Sequence, residues 1–94
     1  MTTAAPTRPS TPAPTRQDLP RFHVVLHNDD KHDMYYVTDC LHLDLPFSAS
    51  DAWRLMYIAH HRGQSLLLTA HRELAELYRD KLRSRGLTVS LKPA

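Results

Sequence analysis

The stretch Phe22-His23-Val24-Val25-Leu26-His27-Asn28-Asp29-Asp30-Lys31-His32-Asp33-Met34 decides how the rest of the chain is read. Its first half places Phe22, Val24 and Leu26 on one face, the period-two pattern of a half-buried strand. Residues 28–33 then break the strand with polar turn formers. Asp33 stands where an N-cap is needed, because its carboxylate can accept from the free N–H groups of a helix opening at Met34. Met34, Val37, Leu41 and Leu45 recur at helical spacing and give that helix one apolar stripe. Pro46 ends it.

Towards the C-terminus the pattern repeats with different punctuation. Ser48 opens a second helix with Asp51 three residues on, an imperfect capping box. Ala52, Trp53, Met56, Ala59 and His60 are expected to share its inner face, and Gly63 suits its C-terminal turn. Gln64 to Leu68 is a short apolar run, expected as a buried strand. Thr69 or His71 caps a third helix, whose expected inner face is Leu74, Leu77, Tyr78 and Leu82, and Gly86 terminates it. Leu87-Thr88-Val89-Ser90-Leu91 alternates and reads as a last strand. The order β-α-α-β-α-β predicts an α+β fold. It is a single small domain with a three-stranded antiparallel sheet and helices packed on one face.

Towards the N-terminus the composition changes. Five of the seven prolines and five threonines lie in residues 1–20, with Arg8, Arg16 and Asp18 as the only charges. Such a segment has too little apolar surface to offset its ordering entropy. Residues 1–20 are therefore expected to be a disordered, partly polyproline-II arm able to reach ~60 Å when extended. A passive tail is the plain alternative. Residues 21–94 form the domain.

Several function classes are excluded at this level. The 94 residues allow one small domain. They contain no 18-residue apolar run for a membrane span and no apolar segment of a secretory signal. The single Cys40 makes no internal disulfide, which suits a reducing compartment and a cytoplasmic protein. The two glycines, Gly63 and Gly86, stand alone, so no Gly-rich phosphate loop exists. A net charge of +2 without a clustered basic face gives no reason to expect nucleic acid.

Chemistry concentrates in the loop 28–33 and at the end of the second helix. A capped Asx turn and a core histidine are the plain readings of these two places. A metal site could draw on His27, Asp29, Asp30, His32, His60 and His61. No His-x-x-x-His spacing occurs there, however, and the adjacent His60 and His61 point to different faces. No metal or other cofactor is expected. An enzyme is disfavoured, because no Ser-His-Asp order is readable and so small a fold has little room for a closed cleft. The third reading is a receptor for a cation that carries an apolar side chain. Asn, Asp and neutral His are acceptors for an ammonium group, and Met34, Val37 and Met56 can wall an apolar hole beside them. The free N-terminus of a peptide with a large first residue has both parts.

In these residues the chain resembles the ClpS-type adaptors, the N-degron receptors of the ClpA- and ClpC-type AAA+ proteases. The resemblance covers residues 22–94. It rests on Asn28-Asp29-Asp30 followed by Met34, on Met56-x-x-x-His60-x-x-Gly63, on Leu87 before the last strand, and on Glu73-Leu74-Ala75-Glu76. It implies a non-enzymatic adaptor, expected to be a monomer, with a flexible N-terminal arm. Asn28, Asp29 and His60 would hold the α-ammonium group of a substrate. Asp30, His32 and Asp33 would shape the loop. Met34, Val37, Met56 and Leu87 would form the hydrophobic pocket for a first residue such as Leu, Phe, Tyr or Trp. Glu73, Glu76 and Tyr78 would dock the N-terminal domain of the AAA+ unfoldase. The chain departs from the family where His32-Asp33 replaces a common Thr-Pro, where Tyr78 replaces a lysine, and in Leu66-Leu67-Leu68, which lacks a glycine. These departures motivate an alternative: a divergent ClpS-like interaction module that binds no N-degrons.

Overall fold

The computed structural model describes residues 19–94. The arm expected over 1–20 lies outside the described residues, apart from Leu19 and Pro20. The elements follow in the order β1 (Arg21–His27), α1 (Met34–Asp44), α2 (Ala49–Arg62), β2 (Gln64–His71), α3 (Arg72–Ser84) and β3 (Thr88–Pro93). The sheet has three antiparallel strands in the order β2-β1-β3. β1 is thus the central strand, and the recess described below opens at its C-terminal end.

Local sequence explains the boundaries. The Asp33 carboxylate accepts from the Tyr36 N–H at 2.9 Å and starts α1. The Ser48 hydroxyl accepts from the Asp51 N–H at 3.2 Å and starts α2. Gly63 ends α2 in the left-handed region at φ 91°, a conformation that costs glycine nothing sterically.

The core joins Val24 and Leu26 of β1 to Cys40, Leu41 and Leu45 of α1 and to Ala52, Leu55, Met56 and Ala59 of α2. Leu67 and Ala70 of β2, Ala75 and Leu82 of α3, and Leu87 and Val89 complete it. On the opposite face of β1, His23 meets the Thr69 hydroxyl at 2.7 Å and His27 meets the Ser90 hydroxyl at 2.6 Å. These cross-strand bonds make that face polar.

Three expectations about packing are corrected. Trp53 and His60 are exposed rather than on the inner face of α2, where Leu55 is buried instead. The second strand runs to His71, not to Leu68, so Thr69 lies inside it and His71 takes the N-cap of α3. A register shift opposite Val24 and Val25 pairs these residues with Leu68 and Leu66 and leaves Leu67 as an extra residue. This is a β-bulge. It turns both Leu67 and Leu68 towards the core and leaves Leu66 exposed. In α3, Leu74 and Leu77 are exposed and the packed positions are Ala75, Tyr78 and Leu82. The small Ala75 lets the helix backbone approach the sheet.

Candidate functional site

The loop between β1 and α1 is fixed at both ends. At its start the Asn28 N–H donates to the Gly63 carbonyl at 2.9 Å. The left-handed turn that ends α2 therefore carries the last turn of that helix, with His60, up against the loop. At its end Asp33 caps α1 and sets Met34 as the first helical residue.

Between them Asp29 organises the loop. Its Oδ1 accepts from the Lys31 N–H at 3.0 Å, the His32 N–H at 3.3 Å and the His32 ring at 3.2 Å. Partial burial acts to raise the Asp29 pKa. The hydrogen bonds from Lys31 and His32, helped by attraction to the His32 ring, outweigh it and hold the carboxyl below its ordinary value. Asp29 is therefore a carboxylate at neutral pH. Its side chain is only 17% exposed, so its charge is less screened than that of a surface residue.

These elements enclose a recess of about 330 Å³, measured with its open mouth. Its apolar wall is Leu26, Met34, Val37, Met56, Ala59 and Leu87, and its polar side is His27, Asn28, Asp29, His32 and His60. Asn28, Asp29 and His60, named from sequence for the amine, thus lie at the same recess as Met34, Val37, Met56 and Leu87, named for the pocket. His32 joins them. Asp30 and Asp33 line a shallower neighbouring recess with Asp29, His32, Met34, Tyr35 and His60. Glu73, Glu76 and Tyr78 lie apart on α3. Glu73 is exposed, Glu76 is half-buried, and Tyr78 packs against the core.

Sequence reasoning missed Leu26 and Ala59 and named His27 only as a possible metal ligand. Ala59 stands three residues after Met56 on the same helical face, and that spacing was the available signal. Leu26 directly precedes His27 and the loop but reads as an ordinary strand residue.

The donor set bears on chemistry. Among the described residues no three His, Cys, Asp or Glu side chains converge as metal ligands. Cys40 is buried, and burial pushes its thiol pKa up, so it is not a ready nucleophile. What remains is a concave apolar wall with hydrogen-bond acceptors along one rim. That combination suits a cation attached to an apolar group.

Comparisons with known proteins agree with this geometry. Residues 17–90 match the family model described as ATP-dependent Clp protease adaptor protein ClpS. The ATP-dependent Clp protease adapter protein ClpS of Synechococcus sp. (strain CC9902) is 40% identical over 83 residues, spanning 87% of this chain and 80% of that protein. The protein of the same name from Synechococcus elongatus is 39% identical over 79 residues, spanning 83% of each chain. Among solved structures, Agrobacterium tumefaciens ClpS2 bound to L-phenylalaninamide superimposes with a TM-score of 0.70 at 25% identity, covering 80% of this chain and 98% of that one.

Proposed function

This chain belongs to the ClpS family of ATP-dependent Clp protease adaptors, and on that premise we propose that it binds the free N-terminus of substrates whose first residue is bulky and apolar. It is an adaptor rather than an enzyme. The observation that carries the reading is the meeting, in one recess, of the Asn28, Asp29 and His60 acceptors with the Met34, Val37, Met56 and Leu87 wall. A first residue of Leu, Phe, Tyr or Trp fills the apolar part, and the α-ammonium group faces the acceptors. A relative of the same fold holds L-phenylalaninamide, a free amine on a bulky apolar residue, and this supports the assignment.

Magnitudes agree with a transient adaptor. Burying one large apolar side chain contributes ~1.5–3 kcal/mol. Each hydrogen bond to the charged amine adds ~1.5–3 kcal/mol. With three such bonds and an association cost of at least ~4 kcal/mol, the balance lies between about −2 and −8 kcal/mol, so roughly micromolar affinity is its upper limit.

The bound substrate is handed to an AAA+ unfoldase of the ClpA or ClpC type, with Glu73, Glu76 and Tyr78 on α3 as the docking residues. The adaptor acts as a monomer in the cytoplasm. Among the described residues no helix is long and apolar enough to cross a membrane.

Peptides that differ only in residue one, each with and without N-acetylation, test the reading by fluorescence anisotropy. Peptides that begin with Phe or Leu bind, and their acetylated forms do not, since acetylation removes the charge and two of the donors. Equal binding of the two forms would show instead an interaction module without N-degron recognition.

A further inference from the structure

His32, which bonds to Asp29 at the rim of the recess, touches three separate parts of the fold. Its Nδ1 lies 3.2 Å from Asp29 Oδ1. Its ring stacks on Tyr36 of α1, with centroids 5.1 Å apart and planes inclined by 16°. Its Nε2 lies 3.0 Å from the point where a Cβ on Gly86 would stand. Both supports are themselves held. The Tyr36 hydroxyl donates to the Arg85 carbonyl at 2.6 Å, and the Arg85 guanidinium pairs with Asp44 through bonds of 2.5 and 3.0 Å. Gly86 directly precedes Leu87, a residue of the apolar wall. The imidazole is therefore gripped between α1 and the turn that leads into β3.

A carboxylate can only accept, so the nitrogen facing Asp29 is an N–H. This donor and the two backbone donors from Lys31 and His32 all end on Oδ1. None of the three takes Oδ2. The carboxylate is held by one oxygen and leaves the other for a ligand, as pre-organised binding requires.

We propose that His32 is a positioning residue, which acts through Asp29 to present Oδ2 to the ammonium group of the ligand. The proposal rests on the amine-binding reading above. Asp29 makes the contact with the ligand, and His32 sets where that contact lies.

A double-mutant cycle on the full chain tests this, with a peptide that begins with Phe as the probe and thermal unfolding run alongside. His32→Ala is expected to weaken binding about tenfold, the loss of one hydrogen bond to a charged group. His32→Asn keeps a neutral N–H donor and is expected to restore most of the affinity. If His32 works through Asp29, Asp29→Ala/His32→Ala binds no more weakly than Asp29→Ala alone. A purely structural role would make the two losses additive, and additive losses overturn the proposal. So does wild-type affinity in His32→Ala. If His32→Ala does not fold, the cycle is run with His32→Thr. A wild-type protein that fails to bind the peptide overturns the amine-binding reading itself, which separates that failure from the failure of His32 alone.

Discussion

At the scale of single residues, the recess sets one carboxylate, Asp29, beside an apolar wall. Asp29 stays ionised, because the hydrogen bonds from Lys31 and His32 hold its pKa below the ordinary value despite partial burial. Asp29→Ala removes the only formal negative charge on the recess lining and is expected to weaken peptide binding by ~2–4 kcal/mol, measured by titration at pH 7.5. The sign of its contribution to stability follows from the same shift. A depressed folded-state pKa stabilises above the unfolded value and loses that contribution as pH falls through the folded value. The Asp29 contribution is therefore fully present at neutral pH and is lost only in acid, as pH falls from the ordinary carboxyl value through the lowered folded-state value. His60 lines the recess beside Asn28 and Asp29, where an unprotonated ring nitrogen can accept from a ligand ammonium. His60→Gln should bind more weakly at pH 7.5, and wild-type affinity in that variant would remove His60 from the acceptor set. Met34, at the start of α1 and on the recess wall, governs shape rather than charge. Met34→Ala is expected to admit peptides beginning with Ile or Val while keeping Leu, and a wild type that binds Ile and Leu equally would place the gate elsewhere.

At the scale of elements, two glycines with the same backbone angle give a controlled comparison. Gly63 and Gly86 both have φ 91°, but a Cβ on Gly63 would meet nothing within 4 Å, whereas one on Gly86 would press on the His32 ring. Gly63→Ala is expected to cost about 1–2 kcal/mol in chemical denaturation, the left-handed penalty for an L-residue. Gly86→Ala should cost more, because the imidazole must also move away from Tyr36 or Asp29. Equal costs at the two positions would show that the ring yields freely. The same elements show what the sequence revealed and what it concealed. The strand-loop-helix from Phe22 to Leu45 was legible because alternation, turn formers, the Asp33 cap and the 3.6-residue stripe all point the same way. The length of β2 was not, because a bulge at Leu67 breaks the period on which strand reading depends. The face of α3 was misplaced because Leu74 and Leu77 are apolar yet exposed, while the small Ala75 packs against the core. In the recess, Asn28, Asp29 and His60 were legible as acceptors near a turn. The contribution of Leu26 and Ala59 was not, since an apolar wall residue carries no chemical signal until the tertiary fold puts it beside a polar rim.

At the scale of the whole molecule, the two ends of β1 separate two jobs. The recess opens beyond His27, at the C-terminal end of the strand, where Asn28 bonds to Gly63. Residues 1–18 join the fold at the other end, where Arg21 pairs with His71 and its carbonyl accepts from the Ala94 N–H at 2.9 Å. Seven strand residues place these points ~20 Å apart. Among the described residues the buried core begins at Val24. The composition of the Thr/Pro-rich segment gives it little apolar surface to bury, but an extended chain of that length has reach enough to enter the channel of a partner ATPase. Deletion of residues 1–18 should therefore leave peptide affinity and the thermal midpoint unchanged while abolishing degradation of a bound substrate by the Clp protease. Peptide titration, thermal unfolding and a degradation assay with one fluorescent substrate measure the three quantities on the same preparation. A truncated protein that binds and delivers at the full rate would show the segment to be a passive tail. One that binds poorly would place part of the recognition surface in residues 1–18.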